Sequence, residues 1–181
     1  MTTRFLRRAA VSLPVLAALA LVACSPTYNW RDYTSAEGRY RVTFPAKPAS
    51  ATRAIDLDGM RVGMTMTAAE VEGATFAVGA AEAPDAARAR AALEAMKLAL
   101  LRNIGASAPL SASASASASD GSPGRATLDV DATGTAQGRP MRLVGHFEAR
   151  GTRFYQVIVV ARDKTVPPEQ IEQFLTSFSP L

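Results

Sequence analysis

The chain has 181 residues, 48% of them hydrophobic and 20% charged, which suits one domain with a sizeable core. Its 20 basic and 16 acidic residues give a net charge of +4, but three of the arginines stand within the first eight positions, and the remainder is nearly neutral. Lys and Arg gather nowhere into the footprint of a nucleic-acid binder, so no nucleic acid is expected as partner, and a single cysteine excludes a disulfide framework.

Arg4, Arg7 and Arg8 precede an apolar run from Ala9 to Leu21 that contains Pro14, and the small residue Ala23 follows. This is the layout of a secretory signal. The run of about 13 residues falls short of the ~20 that cross a hydrocarbon core. Ala9 and Ala10 after the arginine pair favour general secretion over a twin-arginine route. Leu21-Val22-Ala23-Cys24 resembles a bacterial lipobox. That resemblance implies that residues 1–23 are removed and that the Cys24 thiol carries a diacylglycerol, often with a third, amide-linked chain. The expected partner is therefore the lipid bilayer, reached through acyl chains on Cys24; two or three chains, at about 0.8 kcal/mol per methylene, anchor where one would be reversible. The plainer alternative is a free cysteine beyond an ordinary cleavage site. Ser25 rather than Asp follows Cys24, which points to the outer membrane, facing the periplasm.

Residues 24–29 read as the lipidated tether, of which Ser25 to Asn29 span at most about 17 Å; residues 30–181 read as the domain. Tyr28 to Tyr33 and Arg39 to Phe44 flank a turn at Ser35–Gly38, and Tyr40, Val42 and Phe44 alternate with polar residues as in a half-buried strand. Ala51–Asp56 and Met60–Ala69 make the next hairpin about Asp58-Gly59, and Glu72-Gly73 turns the chain into Ala74–Ala81. Asp85 is the expected cap of a helix whose stripe is Ala89, Leu93, Met96, Leu100 and Ile104, with Gly105 at its end.

Between Gly105 and Gly124 the sequence alternates Ser and Ala strictly from Ser111 to Ser119, residues of weak strand propensity, and a flexible insertion at 105–124 is expected. A boundary between two units, 30–104 and 125–181, is the alternative; one sheet with an insertion is preferred, because the second unit would have a thin core. Ala126–Thr133, a turn region at Gly134–Pro140, Met141–Arg150 and Arg153–Ala161 follow. The last of these is apolar on both faces, as a central strand covered on two sides must be. A final helix begins near Pro168 and turns Ile171, Phe174, Leu175 and Phe178 inward. The expected fold is α+β, an antiparallel β-sheet flanked by helices.

Tyr40-Arg41-Val42-Thr43-Phe44-Pro45 with Pro48, then Phe154-Tyr155-Gln156-Val157, and finally Phe174-Leu175-Thr176-Ser177-Phe178 resemble small bacterial proteins of the PsbP-like α/β/α sandwich. The resemblance runs from about Trp30 to Leu181 in order of elements and implies that fold. It brings no catalytic residues with it.

Candidate chemistry is sparse. His146 is the single histidine; on its strand it shares a face with Arg142, Val144, Glu148 and Arg150, and Glu148 is the one acid near enough in sequence to orient it. The expectation is an exposed surface histidine. Asp129 and Asp131 share a strand face and could act as an acid pair, although two solvated carboxylates are commoner. Met60, Met64 and Met66 could hold Cu(I) through thioethers, but core packing is the ordinary use of such a stripe. Asp56-Leu57-Asp58-Gly59 lacks the later ligands of a calcium loop. No cofactor, metal site or catalytic residue is expected. The sequence thus favours an envelope lipoprotein acting as a non-catalytic binding or scaffolding module with a protein partner, ahead of a carrier for a small apolar or lipid ligand, and ahead of an enzyme using His146 or the aspartates.

Overall fold

The computed structural model describes residues 26–106, 111–115 and 124–181. The signal at 1–23, the lipobox Leu21–Cys24 and part of the Ser-Ala stretch (107–110 and 116–123) lie outside the described residues. Strands β1 (Arg31–Ser35) and β2 (Tyr40–Phe44) form the expected first hairpin, with Arg31 opposite Phe44. The Ser35 hydroxyl accepts from the Gly38 amide at 2.9 Å and closes its turn.

Strands β3 (Ala49–Leu57), β4 (Met60–Val71) and β5 (Ala74–Glu82) make a meander. Asp58 and Gly59 both have positive φ, as a two-residue hairpin turn requires, and the Asp56 carboxylate accepts from the Gly59 amide at 2.7 Å. Helix α1 (Ala86–Asn103) follows, and Asp85 caps it by accepting from the Arg88 amide at 2.8 Å. Gly105 stands beyond the helix end in the left-handed region.

Within the stretch read from sequence as a flexible insertion, Ser111–Ser115 forms strand β6, paired antiparallel with β7 (Arg125–Ala136). The period-two alternation and free backbone groups at a sheet edge outweigh the weak propensity of Ser and Ala. The Gly134–Pro140 segment is also not a loose turn region. Strand β7 continues through Gly134, and Gln137-Gly138, both at positive φ, turn it into β8 (Arg139–Arg150). Gly134 is a glycine for a packing reason: a Cβ there would lie 2.2 Å from the Ile104 carbonyl oxygen, so α1 ends directly on the strand.

Strand β9 (Arg153–Arg162) pairs with β8 on one side and β5 on the other, giving one sheet in the order β3-β4-β5-β9-β8-β7-β6. Its position at the centre accounts for its two apolar faces. Helix α2 (Pro168–Ser177) leads into β10 (Ser179–Pro180), which pairs with β2. The first hairpin therefore belongs to a separate three-stranded sheet, β1-β2-β10, rather than to the single sheet expected.

Two cores result, one on each face of the large sheet. On the first, Leu93, Met96 and Leu101 of α1 meet Leu128, Leu143, Phe147 and Phe154. Met64 is buried there and Met60 and Met66 pack against it, so the methionine stripe is core. On the second, Phe174 of α2 lies 5.4 Å from both Phe44 and Phe76, beside Tyr40, Val157 and Tyr155. The architecture is α+β, mostly antiparallel strand with two helices. Among the described residues no helix is long and apolar enough to cross a membrane.

Candidate functional site

Strand parity creates the site. The odd residues of β8 (Leu143, Phe147, Ala149) enter the α1-side core, which leaves Arg142, His146, Glu148 and Arg150 on the opposite face. The turn at Gln137-Gly138 then sets the register, placing Asp129 directly opposite His146, Thr127 opposite Glu148 and Arg125 opposite Arg150. Helix α2 and β10 overhang this part of the face and, through Leu175, Thr176, Phe178, Ser179 and Pro180, supply the second wall of a cleft of about 530 Å³. Arg125, Asp129, His146, Glu148 and Arg150 line the first wall.

Glu148 is the centre of the cluster. Its side chain is only 2% exposed, because it lies beside Tyr155 in the sheet under the end of α2. One carboxylate oxygen accepts from Nε of Arg150 at 2.5 Å and lies 3.0 Å from Nε of Arg125 in an ion pair; the other lies 3.5 Å from Nε2 of His146. Burial alone would raise its pKa, but hydrogen bonds from His146 and Arg150, with the charges of Arg150 and Arg125, hold the carboxyl below the ordinary range.

His146 is not the exposed surface residue expected from sequence. Its side chain is 23% exposed, with Nδ1 2.6 Å from the Asp129 carboxylate and Nε2 facing Glu148. Burial would lower its pKa; the hydrogen bonds and charges of Asp129 and Glu148 outweigh that and push it up to about 9. Each ring nitrogen thus faces a carboxylate, an arrangement that favours the protonated ring.

Asp129 and Asp131 contact different partners rather than each other. Asp131 is bound in a fork by Arg142, through Nε at 3.0 Å and Nη2 at 2.8 Å, while Asp129 serves His146. Each carboxylate has its own basic partner across the strand pair. The structure thus brings His146, Glu148 and Asp129 together and sets Asp131 apart with Arg142. Sequence reasoning missed Arg125 as a member. The signal that could have found it was the two-residue turn, which once recognised fixes every cross-strand neighbour. No protein-family model matches the chain, and no curated protein is similar to it.

Proposed function

We propose that this chain is a bacterial envelope lipoprotein, anchored through acyl chains on Cys24 and acting as a non-catalytic binding module that faces the periplasm from the outer membrane. The observation that carries the reading is the placement of His146 between the Asp129 and Glu148 carboxylates in an open cleft. With both ring nitrogens facing carboxylates of its own strand pair, the ring is not placed to take a proton from a substrate, which suits recognition better than proton transfer. The Leu21-Val22-Ala23-Cys24 sequence supports the anchor. Helix α1 on one face of the sheet, with α2 on the other, is compatible with the PsbP-like sandwich.

Two measurements test the reading. Cys24→Ala is expected to move the protein from the membrane fraction to an unprocessed or soluble form; unchanged fractionation would overturn the anchor. A photo-crosslinker placed at Thr176, on the exposed rim of the cleft, is expected to capture an envelope partner reproducibly. Repeated recovery of the monomer alone would count against a protein-binding module. The second reading, a carrier for a small ligand, is favoured by the apolar side of the cleft at Leu175, Phe178 and Pro180.

A further inference from the structure

We propose that one end of the domain rests against the bilayer that anchors it, the end formed by the Glu72-Gly73 turn, the Gln137-Gly138 turn and the link from β9 to α2. The inference rests on the Cys24 anchor proposed above and adds which surface meets the lipid. The first argument is where the chain enters the fold. Tyr28 and Trp30 pack against the second core, their rings 6.1 Å apart and each 6.3 Å from Phe76, and the Asn29 amide donates to the Pro45 carbonyl at 2.8 Å. Phe76 stands near the start of β5, just past the Glu72-Gly73 turn. Burial raises the pKa of the Tyr28 hydroxyl and the charges of Glu72 and Glu169 add to it, as expected of a ring beside that turn and the first turn of α2.

Register carries the same level across the sheet. Phe76 lies opposite Val159, so β9 ends here; Arg162 lies opposite Met141, so β8 begins here, next to the Gln137-Gly138 turn. The far end holds the Asp58-Gly59 and Gly151-Thr152 turns and the start of α1, since β5 reaches it at Glu82, opposite Arg153. Reach is the second argument. From Cys24 to Tyr28 the chain extends at most about 14 Å. The acyl chains hold Cys24 at headgroup depth, and that layer alone is about 5–8 Å thick. The twelve residues of β4 make the sheet about 40 Å long. A leash so much shorter than the domain keeps its own end at the lipid and the other end away from it. Glu148 and Arg150 lie toward the far end of β8, so the cleft opens on the aqueous side.

Fluorescence quenching tests the seating. The full acylated chain is reconstituted in phosphatidylcholine vesicles that include a lipid with a nitroxide on its headgroup. Acylation blocks the thiol of Cys24, the only cysteine, so Glu169→Cys and Ala87→Cys each provide a single site for a bimane label. Both positions are exposed, Glu169 in the first turn of α2 and Ala87 at the start of α1. Loss of most of the emission from Glu169→Cys and little from Ala87→Cys is expected. Equal quenching in the two variants, or stronger quenching in Ala87→Cys, overturns the seating. Inserting about 20 Gly and Ser residues between Ser25 and Pro26 adds an r.m.s. span of about 25 Å and should restore emission in Glu169→Cys; undiminished quenching there overturns the tether as its cause. Flotation of the same samples separates the two readings. Protein that fails to float with the vesicles overturns the anchor and the seating together, whereas protein that floats with equal quenching at both sites overturns the seating alone.

Discussion

The Asp129 carboxylate lies 2.6 Å from Nδ1 of His146, its direct partner across the β7–β8 ladder. With Glu148 at the other nitrogen, the pair makes His146 a cation in the folded protein at pH values where a free histidine is neutral. Its folded pKa of about 9 stands above the unfolded value of 6.5. The stabilisation is therefore complete below pH 6.5 and is lost as pH rises through the folded value. Denaturant unfolding should show a fall in stability between pH 6.5 and 9, with a ceiling of about 3 kcal/mol. His146→Gln should flatten that limb. A wild-type profile that is level across this window would refute the assignment.

Because His146 is the only histidine, its ring gives one unambiguous set of resonances. Glu148→Gln removes one of its two acceptors and should lower the pKa read from an NMR titration. Asp129→Asn should do the same. The two variants should differ in stability: Glu148 is buried beneath three cations, and neutralising it should cost about 3 kcal/mol or more, whereas Asp129 is largely exposed and should cost less. Equal costs would mean that the cluster is not centred on Glu148.

Gly134 and Gly138 are four residues apart and should respond differently to alanine. At Gly134 a Cβ would sit 2.2 Å from the Ile104 carbonyl oxygen, and relief requires α1 to move off β7. About 1–3 kcal/mol is expected to be lost, with reduced protection of the last turn of α1 in hydrogen exchange. At Gly138 nothing lies within 4 Å, so only the positive φ matters and a loss of about 1 kcal/mol is expected. A milder effect at Gly134 than at Gly138 would contradict the contact.

Phe174 joins α2 to the large sheet through Phe76 and to the small one through Phe44. Phe174→Ala should cost about 3–5 kcal/mol and loosen the wall that carries Leu175 and Phe178. Hydrogen-exchange protection of α2 should fall with it even though no charged group has changed. Full retention of that protection in the variant would show that Phe174 does not hold α2 to the two sheets.

Local chemistry was well marked in the sequence, and long-range pairing was not. Asp58-Gly59, the Asp85 cap, Gly105 and the doubly apolar β9 were all legible, because each obeys a rule that acts over a few residues. Gly134 misled, because a glycine that admits a helix end looks the same as a glycine that makes a turn. The Ser-Ala run misled in the opposite direction, since edge pairing depends on a neighbour some fifteen residues away and hardly on its own side chains. The separate β1-β2-β10 sheet needed the two-residue strand at Ser179, too short to leave a pattern. The cleft was half visible. The common face of His146 and Glu148 follows from parity, but Arg125 and Asp129 join it only through a register set at Gln137-Gly138.

The contact between β5 and β9 has a consequence for how the chain reaches its shape. The two strands belong to different meanders, and near their junction the Thr152 hydroxyl donates to Glu82 across 70 positions of sequence. Each meander can zip locally, but the sheet is complete only when this distant closure is made. The entropy of such a closure grows only with the logarithm of the intervening length, about 0.6 kcal/mol for each doubling. Helix α1 and the Ser-Ala run lie inside that interval. A few residues added to or removed from this interval outside α1 and β6 therefore scarcely change the free energy of joining the halves, whereas a change within β6 shifts its register on β7.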